Sequence, residues 1–249
     1  MRAPLLLLLT VWLGLALPAS ARAGEVRLAV AANFSDTARQ IADRFEARSG
    51  HRVMISAGSS GQLFAQIHQG APFDVFLSAD DERPARAEAE GLGVKGTRFT
   101  YATGRLVLWS RTPGLVDSRG QVLVTGRFQH LAIADPASAP YGRAAMEVLT
   151  RRKLEARLKP RLVTGNSIAQ TLQFVRTGSA ELGFIALSQA SSLEGGSRWL
   201  VPAADHNPID QQAILLTAAK DPAASTAFLK FLRGPEARTL IRAQGYEVH

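Results

Sequence analysis

The chain has 249 residues, 46% of them hydrophobic, and 29 Lys and Arg against 21 Asp and Glu, for a formal net charge of +8. That length suits one large domain or two modest ones with a sizeable core. No cysteine is present, which excludes disulfides, a catalytic thiol and thiolate-held metal from the mature fold.

The first 23 residues read as an export signal. Arg2 supplies a basic start, Leu5 to Leu17 an apolar stretch, and Ala21-Arg22-Ala23 a small-x-small cleavage site. The apolar stretch is too short for a spanning helix, and no later one is long enough either. The expected product is a soluble exported protein cleaved after Ala23, with Gly24 as its first residue. Without Arg2 and Arg22 its charge falls from +8 to +6. The basic residues are dispersed, the densest group being Arg151-Arg152-Lys153, so they read as a solvated surface and not as a nucleic-acid face.

Val26 to Ala32 is a short apolar strand that ends in Asn33-Phe34-Ser35-Asp36. A helix follows with Ala38, Ile41, Ala42 and Phe45 on one face, and it stops at Ser49-Gly50. Val53 to Ser56 is a second strand. It runs through Ala57-Gly58-Ser59-Ser60-Gly61 into a helix with Leu63, Phe64 and Ile67 on one side. After Pro72, Asp74 to Ser78 is a buried-type strand, and a weaker helix covers 82–90. Arg105 to Trp109 is a strand, Pro113 to Gly126 a loop with little core content, and Leu131 to Ala134 another strand. Pro140-Tyr141-Gly142 opens a helix through Leu149. Leu162 to Thr164 leads by Gly165-Asn166-Ser167 into a helix with Ile168, Leu172 and Val175 on one face. Leu182 to Leu187 and Ala213 to Leu216 are strands, and helices at 222–233 and 236–242 close the chain. This alternation of strand and helix favours an α/β fold with parallel sheets covered by helices on both faces.

Four strand-to-helix turns share one character: 32–35, 58–61, 140–142 and 165–168 are small, polar and largely uncharged. In open parallel sheets, ligands collect where strand carboxyl ends meet helix N-termini, whose free N–H groups suit an anion. Each turn taken singly is also an ordinary capped helix start. Asp36 counts against the first turn, because a carboxylate there competes with an outside anion.

Other chemistries fit less well. Gly58-Ser59-Ser60-Gly61 invites comparison with the G-x-S-x-G elbow of serine hydrolases, but Gln62 replaces the final glycine, and no histidine has an evident place beside Ser60. Nucleotide-binding glycine motifs and metal-ligand spacings of histidine are missing from the sequence. Asp80-Asp81-Glu82 reads as a solvated loop capping the next helix, and Phe99, Tyr101 and Trp109 as core or interface aromatics. Tyr141 stands apart, because it sits at one of the four turns with a hydroxyl to donate.

The turns also resemble those of the periplasmic molybdate-binding proteins, the substrate-binding subunits of an ABC importer. The similarity spans essentially the whole mature chain. It is carried by Ala31-Ala32-Asn33-Phe34, Ser59-Ser60-Gly61, the run from Gly70-Ala71-Pro72-Phe73 through Asp74-Val75-Phe76-Leu77-Ser78-Ala79-Asp80, Pro140-Tyr141-Gly142 and Leu182-Gly183-Phe184. The resemblance implies a two-lobed type II periplasmic-binding-protein fold, each lobe a mostly parallel sheet flanked by helices, with the ligand in the interlobe cleft. It suggests lobes at 24–104 plus 210–249 and at 105–209, closing as a hinge. It implies molybdate or tungstate as ligand, bound through Asn33, Ser60, Tyr141 and Ile168. It further implies no cofactor, no catalysis, no nucleic acid, a monomer, and a membrane-embedded ABC permease as transient partner. Many members donate a tyrosine hydroxyl from the position that is Ala186 here, a loss that Tyr141 would make up. The remaining alternatives are a secreted hydrolase using Ser60 and a receptor for another oxyanion such as sulfate.

A pocket of neutral donors suits such a ligand. A tetrahedral dianion presents only acceptors, and hydrogen bonds to a charged group contribute about 1.5–3 kcal/mol each. Hydrogen phosphate carries a proton that a donor-only pocket leaves unpaired, at a cost of about 1–3 kcal/mol. Sulfate has no proton, so only size separates it from molybdate.

Overall fold

A computed structural model describes residues 23–248. The signal-peptide reading falls almost wholly on 1–22, outside the described residues. The chain begins with strand β1 (Glu25–Ala31), a short 3-10 turn at Ala32–Phe34, helix α1 (Ser35–Ser49), β2 (Arg52–Gly58), α2 (Ser60–His68), β3 (Val75–Leu77), α3 (Glu82–Ala89) and β4 (Phe99–Gly104). A second series follows: β5 (Leu106–Ser110), α4 (Val122–Thr125), β6 (Leu131–Ala134), α5 (Pro140–Arg151), α6 (Glu155–Leu158), β7 (Leu162–Gly165), α7 (Ile168–Thr177), β8 (Leu182–Ala186), α8 (Leu187–Ala190) and β9 (Ser197–Leu200). The chain then returns through β10 (Ile209–Leu215), α9 (Pro222–Leu232) and α10 (Pro235–Ala243).

These elements form two lobes, each built on a five-stranded sheet. One sheet has the order β2-β1-β3-β10-β4 and the other β7-β6-β8-β5-β9. The three strands carrying the early turns of each lobe pair in parallel (β2-β1-β3 and β7-β6-β8), as the alternating pattern implies. The remaining strands are antiparallel to their neighbours. The antiparallel part arises where the chain changes lobe: β4 and β5 lie in different sheets with only Arg105 between them, and β10 brings the chain back.

Burial follows the sequence pattern. Ala38, Ile41, Ala42 and Phe45 of α1 are buried, and the helix ends at Gly50 with φ 71°, a conformation glycine adopts without penalty. Every residue of β6 is buried, because α5 and α7 both pack on it. Phe34 is fully buried against the rings of Tyr101 and Tyr246, a placement worth about 1.5–3 kcal/mol for one large apolar side chain.

Three readings need correction. The stretch 113–126 is no bare loop: it contains α4, and Val116, Val122 and Leu123 enter the second lobe's core. The strands β4 and β9 lack a counterpart in the sequence reading, and β10 begins four residues earlier than Ala213. In β4 the pairing passes from Gln211 opposite Ala102 to Gln212 opposite Thr100, so Tyr101 is the extra residue of a bulge. Such a bulge re-aims a side chain, and Tyr101 is buried with its hydroxyl toward Gln211.

Candidate functional site

The four small turns meet. Asn33, Ser60, Tyr141 and Ile168 line one cavity between the lobes, together with Ala32 and Ala79 among others, and none of its lining residues is charged. Its free space is ≈ 10 Å³, the room of about one water-sized group. A wider groove of ≈ 320 Å³ lies beside it. Asp80, Asp81, Glu147 and Asp210 face that groove against Arg143, a lining that repels an anion. The smaller, neutral cavity is therefore the candidate site.

Each turn supplies donors for a local reason. At α2, Ser59 is the N-cap and forms a capping box with Gln62, its Oγ accepting the Gln62 N–H at 3.4 Å. Ser59 and Ser60 both line the cavity. The Ser60 Oγ accepts the Ala79 N–H at 2.9 Å, so its own proton is free to be donated. At α5 the N-cap is Ala139, which has no capping side chain, and Pro140 stands at the first position. The Tyr141 N–H thus lacks an intrahelical partner. At α7 the Ser167 side chain caps Gln170 N–H, which leaves the N–H of Ile168, the first helical residue. None of these three helices has an acid in its first turn. Asp36 of α1 does, but it is exposed and paired with Arg39 at 2.5 Å.

Behind the cavity lies a buried polar network that sequence reasoning missed. The Asn33 Nδ2 donates to Gln211 Oε1 (2.9 Å) and Tyr246 Oη (3.1 Å). Its amide protons are therefore committed within the protein, and the group Asn33 retains for a ligand is its main-chain N–H at the start of the 3-10 turn. Gln211 Nε2 donates to Tyr141 Oη at 3.3 Å, across the lobes. The Tyr246 hydroxyl donates to Asn33 O (2.7 Å) or Ser188 Oγ (2.9 Å), and Ser188 Oγ reaches Asn33 O at 3.1 Å. Burial pushes the hydroxyls of Tyr101, Tyr141 and Tyr246 up, so all three remain neutral. The one local signal for this network was a glutamine pair inside the alternating run 209–215, which marks Gln211 as a buried polar residue.

The lobes are drawn together around the cavity. Gly61 N–H donates to Ser138 O at 2.8 Å, and a Cβ on Gly61 would lie 2.9 Å from the Ser138 backbone. Only glycine lets the two backbones approach so closely. Arg83 reaches Ala137 O at 3.1 Å and is paired with Asp80. Asp80 is buried and also accepts the Arg83 N–H and the Ser78 hydroxyl; it caps the helix as expected but is not solvated. Arg143 is not a cavity residue. It crosses to Glu82 at 2.9 Å, and this hydrogen bond holds the Glu82 carboxyl below its ordinary range.

The chain matches the family described as bacterial extracellular solute-binding protein over residues 26–247. It is 52% identical to the molybdate-binding protein ModA of Rhodobacter capsulatus over 238 residues, which is 96% of this chain and 93% of the relative. It is 51% identical to ModA of Azotobacter vinelandii over 242 residues, 96% of each chain. The chain belongs to this solute-binding family. A solved periplasmic molybdate-binding protein of A. vinelandii superposes with TM-score 0.87 at 42% identity, covering 90% of this chain and 99% of that one.

Seen as a solute-binding protein, the molecule gives structural meaning to the motif at 70–80. Asp74 is fully buried and accepts from Arg27 Nη2 (2.6 Å), Arg27 N–H (2.7 Å) and Lys220 N–H (2.8 Å). Desolvation opposes its ionisation, yet these hydrogen bonds and the Arg27 charge outweigh it and hold the carboxyl low. Ala79 positions Ser60, and Asp80 positions Arg83 at the lobe contact. Ala186 is buried and its N–H donates to Gln189, so this position adds no side-chain donor. Among the described residues, His51, His68, His130 and His206 do not line the cavity.

Proposed function

We propose that this protein is the extracytoplasmic receptor that captures molybdate, and tungstate with it, and hands it to the membrane-embedded permease of an ABC importer. The observation that carries this reading is the cavity itself: helix-start N–H groups and the Ser60 hydroxyl converge from both lobes, and every lining residue is uncharged. Relatives named for molybdate at 51–52% identity support the choice of oxyanion. In this reading Ser60, through Oγ and N–H, and the main-chain N–H groups of Asn33, Tyr141 and Ile168 hold the anion, joined by the Tyr141 hydroxyl. Several charge-assisted bonds of about 1.5–3 kcal/mol each supply tight binding without a countercharge. The lobes at 24–104 plus 210–249 and at 105–209 close as a hinge, with Arg105 and the stretch 201–208 as the two crossings. The protein acts as a monomer with no turnover and no cofactor, in the periplasm, after cleavage behind Ala23.

Calorimetric titration of the exported protein with molybdate, tungstate, sulfate and phosphate tests the reading. The expected result is binding of the first two at micromolar or tighter, about −8 kcal/mol or better, with sulfate and phosphate far weaker. Equal affinity for sulfate would reassign the protein to general oxyanion capture. N-terminal sequencing of the exported form should begin at Gly24, and retention of Met1 to Ala23 would overturn the location.

A further inference from the structure

Gln211 is fully buried on β10, at the point where the chain re-enters the first lobe. Its side chain touches three others. Oε1 accepts from Asn33 Nδ2 at 2.9 Å and lies 3.1 Å from the Tyr101 hydroxyl, while Nε2 faces Tyr141 Oη at 3.3 Å. The Asn33 Nδ2 donor at Oε1 sets which end of the amide meets Tyr141, and the Tyr101 proton is shared between Oε1 and Ser78 O, which lies 3.0 Å away. The bulge in β4 matters here, because it turns Tyr101 inward to Oε1.

A tyrosine hydroxyl in a pocket can either donate or accept. With an N–H aimed at its oxygen, Tyr141 is biased to use its proton elsewhere. Ser60 has the same arrangement in the facing lobe, where the Ala79 N–H occupies its Oγ. Each lobe thus holds a cavity residue whose hydroxyl receives a protein N–H. Backbone does this for Ser60, and a side chain does it for Tyr141.

We propose that Gln211 is a specificity-determining positioning residue, which acts through Tyr141 to turn its hydroxyl into a donor toward the bound oxyanion. The inference rests on the oxyanion-receptor reading above. It explains why a buried glutamine, costly unless fully hydrogen-bonded, stands between the hinge and the cavity. It also assigns Gln211 a part in rejecting oxyanions that carry a proton: without it, Tyr141 can accept that proton. Gly104 belongs to the same arrangement, since a Cβ there would lie 2.1 Å from Tyr141 Oη and 2.7 Å from Gln211 Nε2.

The test is a double-mutant cycle on the exported chain: wild type, Gln211→Met, Tyr141→Phe and the double variant, each titrated with molybdate and with phosphate and each melted. Gln211→Met should weaken molybdate about tenfold, the worth of one well-placed hydrogen bond, and should narrow the molybdate-to-phosphate ratio. In the Tyr141→Phe background the same change should cost less than about twofold, because its target is gone. A merely structural role predicts equal losses in both backgrounds, and that result overturns the proposal, as does wild-type affinity in Gln211→Met. Should Gln211→Met fail to melt cooperatively, Tyr141→Phe still decides: unchanged molybdate affinity there overturns the proposal. A wild-type chain that ignores molybdate overturns the receptor reading instead, and is seen before any variant is made.

Discussion

Two neighbouring regions of the interlobe contact are built on opposite principles. Inside the cavity the lining is neutral, and its partners are N–H groups and hydroxyls. Just beside it the lobes meet through charged side chains: Arg143 pairs with Glu82, and Arg83, held by Asp80 of its own lobe, donates to the Ala137 carbonyl. The difference follows from solvent. At the Arg143–Glu82 contact both side chains are substantially exposed, so water screens the charges and the contact can open at little cost. In the cavity a fixed charge would act through a low dielectric and would either trap the ligand or repel it. Dipoles held by helix starts bind an anion and still release it when the lobes part.

The contrast can be sharpened by a charge pair shielded from water. Asp74→Ala removes the partner of Arg27, whose side chain is only 14% exposed, and should destabilise the protein by about 3–5 kcal/mol in chemical denaturation. A smaller loss, below about 1 kcal/mol, would mean that this pair behaves like the exposed one. At the cavity wall, Asn33→Asp adds a carboxylate to a neutral lining and removes the donor that Gln211 and Tyr246 receive. At about 4 Å and an effective dielectric of 20 the repulsion is about 4 kcal/mol, near a thousandfold in molybdate affinity by calorimetry.

Ser60→Ala removes one charge-assisted donor and should cost about 1.5–3 kcal/mol of molybdate binding; it also strands the buried Ala79 N–H, so melting should fall as well. Gly61→Ala tests closure without touching a donor. Its new methyl meets the Ser138 backbone at 2.9 Å, a clash no side-chain rotation relieves, and about 1–3 kcal/mol of binding should be lost. Small-angle scattering of that variant with molybdate should show a less compact form than wild type.

The smallest effect belongs to the exposed pair. Arg143→Ala should cost about 0–1 kcal/mol of binding and become harder to detect in high salt. If it proves more damaging than Ser60→Ala, the neutral-cavity mechanism is wrong. The pair also has a pH signature. Glu82 is held below its ordinary carboxyl value by Arg143, so its contribution is complete above that ordinary value and disappears as pH falls through the lowered one. Denaturation from neutral to about pH 3 should show wild type losing a small stability advantage over Glu82→Gln on acidification; a gain on acidification would reverse the sign.

Much of the first layer was legible in the chain. The apolar spacing of Ala38, Ile41, Ala42 and Phe45 names the buried face of α1, and the four uncharged turns name the residues that meet in the cavity. The aromatic and β-branched run Phe99-Thr100-Tyr101-Ala102-Thr103 carries a strand signal as well, which taking Phe99 and Tyr101 as separate aromatics overlooks. Val116, Val122 and Leu123 were obscured by the glycines and polar residues around them, and only the space under the second sheet shows that they are core.

The sequence by itself determined the α/β class, the small polar turns and the donor types they bring, because periodicity, capping and helix-start N–H groups are local properties of the chain; the two-lobed arrangement was implied only by the family resemblance. Which of those donors remain for a ligand was decided only in three dimensions. The Asn33 amide is spent on Gln211 and Tyr246, while the Ser60 oxygen is taken by an N–H nineteen residues further on, which leaves its proton to donate. The glycine at 61 is explained only by the backbone of Ser138, from the other lobe. A hydrogen-bonding group reveals its type in the sequence but its direction only when all its partners are in place, and here those partners lie up to 213 residues away.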